Sequence, residues 1–212
     1  RASADAGADA VLVLPPHFFT AAMTPDVLRR HYEAVADASP VPVFLYNVPR
    51  NTGVNLSADL VVELSQHPNI AGLKDSGGDI VQISDVIGRA RPGFAVFAGS
   101  ASLLFPAVAM GAQGGVTALG NVMPEECCAL WDLSREGRCD LARRVQQALI
   151  APNAAVTTRF GVPGLKAAMD ALGYFGGDPR PPLLPLAPGD RRAVAEVVLA
   201  AKEKVRQVLR PE

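Results

Sequence analysis

Cysteine is scarce in this chain, with three residues in 212: Cys127, Cys128 and Cys139. An odd, unclustered set gives no disulfide framework and suits a reducing compartment. Neighbouring helical positions point about 100° apart, so Cys127 and Cys128 make no simple metal pair. Buried, inert thiols are expected at all three positions. The histidines His17, His31 and His67 are scattered and lack ligand spacing, so no metal site is expected. An excess of positive charge is also missing: 20 Lys and Arg stand against 21 Asp and Glu. Without a basic patch or stripe there is no nucleic-acid surface and no polybasic membrane anchor. No apolar run approaches the ~20 residues of a membrane-spanning helix. The longest candidate, Leu103 to Met110, is ended by Gly111 and Gln113. Asp5 and Asp9 stand where a secretory leader would carry its apolar stretch, so no leader is read there. These absences point to the cytoplasm, or to the mitochondrial matrix in a eukaryotic source.

What is present is a globular composition, 49% hydrophobic and 19% charged, well away from the disordered range. The length allows one domain with a sizeable core. Along the chain, short apolar runs alternate with helical patterns. Strands are expected at 10–14, 43–46, 70–74, 95–98 and 114–119. Thr24 with Pro25 opens a helix that runs to about Ala38, with Val27, Leu28, Val35 and either Tyr32 or His31 facing inward. Ser57 caps a second helix and Asp79 a third. Strict alternation means a parallel sheet with helical crossovers. After Asn121 helices follow one another without strands: 124–136, 140–149, 163–172 and 190–208. Five parallel strands fit an open doubly wound sheet, or most of a (β/α)8 barrel, which usually takes about 250 residues.

Both architectures gather functional residues at the C-terminal ends of the strands. Ile70-Ala71-Gly72-Leu73-Lys74 reads as a buried strand that ends on a lysine. One reading has Lys74 snorkel to water. The other makes it a nucleophile, because burial disfavours a charged ammonium and a neutral amine attacks ketones to form Schiff bases. The preceding strand ends on Tyr46, and a phenol can pass a proton during carbon–carbon cleavage. That neighbour favours the imine reading. Gly99, Ser100 and Thr117 fall at the other strand ends and supply backbone and hydroxyl donors for a carboxylate. Arg50, in the exit loop after Tyr46, is either a carboxylate ligand or a solvated loop arginine. Asp75 serves at least to fix the turn.

Tyr46-Asn47-Val48-Pro49, Gly72-Leu73-Lys74-Asp75, Ala98-Gly99-Ser100 and Gly114-Gly115-Val116 together resemble the dihydrodipicolinate synthase/N-acetylneuraminate lyase family. The resemblance implies a (β/α)8 TIM barrel with a C-terminal helical extension, and a lyase that works through a lysine imine without a cofactor. It implies Lys74 as the Schiff-base lysine and Tyr46 as the proton relay. Gly99 and Val116 would contact the bound oxo acid. Within the family, Lys74-Asp75-Ser76-Gly77-Gly78-Asp79, Pro152 to Thr157, Arg159 to Lys166 and Gly173 to Gly177 are most similar to the 4-hydroxy-2-oxoglutarate aldolase branch. That likeness adds Ser76 as a carboxylate contact and cleavage of 4-hydroxy-2-oxoglutarate to pyruvate and glyoxylate.

The synthase branch carries an arginine five positions after its tyrosine, where this chain has Asn51, so Asn51 is the substrate-loop candidate. That branch also usually follows its lysine with Glu-Ala, where Asp75-Ser76 stand here. A pyruvate-dependent synthase is the alternative activity. The likeness places the five strands as the fourth to eighth of the barrel. Residues 1–122 would then form that barrel part, and 123–212 the closing helix and helical extension. The family's Gly-rich hydroxyl motif and a second relay tyrosine would lie in the first three βα units, which the chain is expected to lack. An inactive fragment is therefore a further expectation. The resemblance implies a homotetramer, with a small 2-oxo acid as its other partner.

Overall fold

The computed structural model describes residues 1–210. By packing, the chain separates into two units: residues 1–99 with 110–115, and residues 100–109 with 116–212. The first unit holds a parallel sheet of β1 (Val11–Val13), β2 (Val43–Asn47), β3 (Ile70–Asp75), β4 (Ala95–Ala98) and β5 (Gly114–Gly115). The strand order in space is β1-β2-β3-β4-β5. A doubly wound sheet must reverse its strand order at a switch point. This one never does, so the winding is the single, one-directional kind.

Helix α1 (Ala2–Asp5) precedes β1, and between the strands lie α2 (Pro25–Ala38), α3 (Pro49–Thr52), α4 (Ala58–Leu64) and α5 (Ile80–Arg89). Their starts are set by local chemistry. Thr24 accepts a hydrogen bond from the Val27 N–H, Ser57 from that of Leu60, and Asp79 from those of Val81 and Gln82. Each satisfies donors that a helix start leaves orphaned. The buried stripe of α2 is Leu28, Tyr32 and Ala36, spaced four apart. Val27, expected inside, is 40% exposed, because it lies about 100° round the helix from that stripe. Val35 is only half-buried. The Tyr32 hydroxyl donates to the Val13 carbonyl at 3.3 Å, which ties α2 to β1. Burial pushes the Tyr32 phenol well above its ordinary value.

Alternation along the strands divides the sheet into two faces. Val43, Leu45, Leu73, Val96 and Ala98 are at most 1% exposed. Truncating a leucine in such a position typically costs about 2–5 kcal/mol. The other face carries Phe44, Tyr46, Lys74 and Phe97, all half-buried, and Leu12, which is 45% exposed. Gly72 is required on this face: a β-carbon there would meet the Phe44 ring and the Ala95 carbonyl.

The fifth strand is shorter than expected. Gly115 pairs with Ala98, the last residue of β4. Beyond it Val116 has no strand to pair with, and Ala118–Asn121 form a 3-10 turn instead.

The second unit is helical: α6 (Leu104–Ala109), α7 (Pro124–Arg135), α8 (Cys139–Ala154), α9 (Gly161–Ala171) and α10 (Pro188–Leu209). Helix α8 packs on α7 and α10, and α9 on α10. The expected end of α8 near Leu149 is wrong. The helix runs through Pro152 and passes into a π-helical turn, Ala155–Arg159. Proline lacks an N–H and displaces the carbonyl four residues back, so its defect falls at Ala148, upstream of the π-turn. The Thr157 hydroxyl donates to the Asn153 carbonyl at 2.6 Å. Glu126, 7% exposed, is paired with Lys202 at 3.0 Å. Among the described residues no helix is long and apolar enough to cross a membrane.

The cysteines depart from expectation. Cys128 and Cys139 are exposed and only Cys127 is partly buried. Helix α7 buries Glu126, Leu130 and Leu133, which turns Cys128 outward, and Cys139 is the first residue of α8. Burial pushes the Cys127 thiol up to about 11, against a partly opposing hydrogen bond with Thr117. Ellman titration of the native protein should therefore label Cys128 and Cys139 first and Cys127 slowly. Because the folded-state value is raised, the burden appears only at alkaline pH. Stability linked to Cys127 is intact below the ordinary thiol value of 9.0 and is lost as pH climbs toward about 11. A Cys127→Ala variant should show a shallower alkaline decline in denaturant midpoint.

Candidate active site

Strands β2 and β3 end side by side. Their register pairs Tyr46 with Lys74 and Asn47 with Asp75. Side chains alternate across a strand, so the first pair faces one side of the sheet and the second pair the other. Lys74 Nζ lies 4.1 Å from the centroid of the Tyr46 ring. Such a cation–π contact is worth about 0.5–2 kcal/mol, depending on desolvation. Among the described residues the Lys74 ammonium makes no hydrogen bond or ion pair. It is half-buried and paired across β4 with Phe97. The result is an amine held over one aromatic ring, with Phe97 as its register neighbour on β4.

The opposite pair is fully buried: Asn47 is 0% and Asp75 1% exposed. Asn47 Nδ2 donates to Asp75 Oδ2 and to Asn55 Oδ1, each at 2.8 Å. Asn47 Oδ1 accepts from the Leu56 N–H at 3.0 Å. Asp75 Oδ1 accepts from the Gly77 N–H at 2.8 Å, and Gln82 Nε2 approaches Asp75 Oδ2 at 3.4 Å. Backbone bonds run alongside, from Ser76 N to Asn47 O at 2.7 Å and from Gly99 N to Asp75 O at 2.6 Å. The sequence alone assigns Asp75 only a turn role and Asn47 none. The available signal is their position: two polar residues one step beyond Tyr46 and Lys74 on neighbouring strands.

Ser76 and Gly99 are brought together. A β-carbon at Gly99 would fall on the Ser76 hydroxyl and within 2.7 Å of the Asp75 carbonyl. The Gly99 N–H is already committed to Asp75, so its carbonyl is the group that remains for a ligand. Asn51 lies with Arg50 on α3, a single helical turn in the exit loop. Both side chains are exposed, and among the described residues neither makes a hydrogen bond. Val116 belongs to the second unit and is 49% exposed. Also within that unit, Asn153 Nδ2 donates to the hydroxyls of Ser100 at 3.1 Å and Ser102 at 2.8 Å.

Gly99→Ala is expected to cost about 1–3 kcal/mol through this overpacking, because the Asp75 carbonyl is in the way as well as the Ser76 side chain, and backbone cannot swing aside. Denaturant unfolding of the variant would measure the loss.

The family described as "Dihydrodipicolinate synthetase family" matches residues 1–201. A probable mitochondrial 4-hydroxy-2-oxoglutarate aldolase from Emericella nidulans is 33% identical over 207 residues, 97% of this chain and 67% of the relative. A 4-hydroxy-tetrahydrodipicolinate synthase from Exiguobacterium is 36% identical over 209 residues, 98% of this chain and 69% of the relative. Among solved structures, a putative dihydrodipicolinate synthase from Thermus thermophilus superposes with a TM-score of 0.86 at 38% identity, covering 95% of this chain and 69% of the other. The chain thus spans about two thirds of the length of these relatives. The paired lysine and tyrosine at strand ends, the one-directional winding and these matches lead to one conclusion: the chain belongs to the dihydrodipicolinate synthetase family, whose members are lyases and aldolases.

Proposed function

We propose that this chain carries the covalent step of a class I aldolase that cleaves 4-hydroxy-2-oxoglutarate to pyruvate and glyoxylate. The observation that supports it is the placement of Lys74 Nζ over the Tyr46 ring, 4.1 Å from its centroid, on register-paired strand ends. The lysine amine adds to the C2 carbonyl of the oxo acid and water leaves, giving an iminium. The proton on the C4 hydroxyl passes through the Tyr46 hydroxyl, which accepts one proton as it gives up another. The C3–C4 bond breaks, its electron pair enters the iminium, and glyoxylate departs. The resulting enamine takes a proton at C3, and water then hydrolyses the imine to release pyruvate and the free lysine. The iminium formed on Lys74 is the electron sink, so no cofactor is required.

Ser76 is assigned to the substrate carboxylate, the Gly99 backbone and the Val116 position to further contacts with the bound oxo acid, and Asn51 to the exit loop. The choice of substrate rests on the aldolase relative and on Asp75-Ser76 following the lysine. A specific observation favours a second reading: several relatives of similar identity are named synthases. That reading keeps Lys74 and Tyr46 and changes only the second substrate. The five strands are assigned as the fourth to eighth of an eight-stranded barrel, with residues 123–212 as closing helix and extension. The half-exposed face around Leu12, Phe44 and Phe97 supports that assignment, since a barrel interior is a packed core. A cytoplasmic homotetramer completes the proposal.

Incubation with pyruvate and borohydride should add mass at Lys74, and absence of an adduct on the full chain would sink the mechanism. Lys74→Ala should abolish cleavage, and Tyr46→Phe should slow it by ~10²–10⁴-fold. A direct comparison of glyoxylate release with condensation onto an aspartate-derived aldehyde chooses between aldolase and synthase. A folded chain inert in both assays would make it an inactive fragment.

A further inference from the structure

We infer that Asn47 and Asp75 are positioning residues: their buried hydrogen bond holds Tyr46 and Lys74 in the geometry that proton transfer requires. This inference rests on the imine reading above. Neither residue touches the reacting face, because each points to the opposite side of its strand from its catalytic neighbour. Each nevertheless adjoins that neighbour in the backbone. The 2.8 Å bond from Asn47 Nδ2 to Asp75 Oδ2 crosses between β2 and β3 one step beyond the Tyr46–Lys74 pair.

The pair also gathers the loops around the site. Asn47 fixes the β2 exit loop through Asn55 and the Leu56 N–H. Asp75 fixes the β3 exit loop through the Gly77 N–H. The backbone bonds from Ser76 to Asn47 and from Gly99 to Asp75 extend the same clamp to β4. Three strand ends and two exit loops therefore converge on two buried residues, through their side chains and their backbone carbonyls.

The chemistry of the donors explains why the residue after the lysine is an acid. All three groups on the Asp75 carboxylate are N–H donors: Asn47 Nδ2, the Gly77 backbone and Gln82 Nε2. An ionised carboxylate offers acceptors only, on both oxygens. Asparagine at 75 would set one NH2 against a donor. Aspartate at 47 would set oxygen against oxygen. Each single change leaves a buried polar group facing its own kind. Exchanging the two residues restores a complementary pair with the hydrogen bond running in the reverse direction: Asn at 75 donates to Asp at 47, which still accepts from Leu56.

The test is a double-mutant cycle of Asp75→Asn, Asn47→Asp and the exchange of both, made in the full chain. It is read by kcat, KM, thermal midpoint and borohydride trapping with pyruvate. Each single variant is expected to keep trapping at Lys74 and its KM, while kcat falls about 10–100-fold from misplacement. The exchanged variant should recover kcat to within about fivefold of wild type. A purely structural role predicts a lower thermal midpoint with unchanged kcat for the folded protein. That outcome, or an exchange that folds without recovering turnover, overturns the inference. Should a single variant fail to fold, Asn55→Ala takes its place. It removes an acceptor from Asn47 at an exposed position, and kcat should fall about 2–5-fold; unchanged kcat counts against positioning. Failure of the wild-type chain to trap pyruvate overturns the imine reading and this inference with it. Normal trapping with normal turnover in every variant overturns positioning alone.

Discussion

The register between β2 and β3 is the constraint on which the site depends. Tyr46 faces Lys74 only because Leu45 faces Leu73 and Asn47 faces Asp75. A slip of one residue would carry every side chain of a strand to the other face. The lysine would then enter the apolar layer and leucines would occupy the site. The buried face makes that slip prohibitive, since Leu45 and Leu73 are at most 1% exposed. Packing on one side of the sheet thereby sets the chemistry on the other. The same logic explains a site with no hydrogen bond to its own lysine among the described residues. Its geometry is held from behind.

The fold follows from a handful of close approaches as much as from apolar patterning. Gly72 lets the Phe44 ring lie across β3, and Gly99 lets the β4 end come down on Ser76. At both places a β-carbon would meet backbone oxygen, which cannot swing aside as a long side chain can. Gly78 serves a different purpose. Its φ of 89° turns the chain between Ser76 and the helix cap at Asp79, a conformation that glycine adopts without penalty.

Much of this was legible in the residues. Thr24, Ser57 and Asp79 each cap the helix expected of them, because capping is local and depends on one side chain and its next few neighbours. The five strands were legible from apolar runs, and Lys74 and Tyr46 from their place at the ends of two of them. What was not legible depended on partners distant in sequence. The short β5 follows from where β4 stops. The inner face of α2 follows from where β1 and α4 lie, which is why Val27 was misplaced. The exposure of Cys128 depends on which stripe α7 buries. The Asn47–Asp75 bond joins residues 28 apart, and neither residue type alone announces a buried role. Proline at 152 reads as a stop by its local cost, yet the helix passes through it.

That passage has its own consequence. The turn from Ala155 to Arg159 is π-helical, and a π-turn closes its hydrogen bonds over one more residue than an α-turn does. It behaves as a one-residue insertion stored within a helix. Loss of a single residue from this segment has a conformation ready to receive it, an ordinary α-turn. The equivalent loss within Phe44–Asn47 or Gly72–Asp75, where β2 and β3 run in regular register, has none, because it would exchange the faces of the strand. The tolerance of this chain to changes in length is therefore uneven, and it is greatest where its helix is least regular.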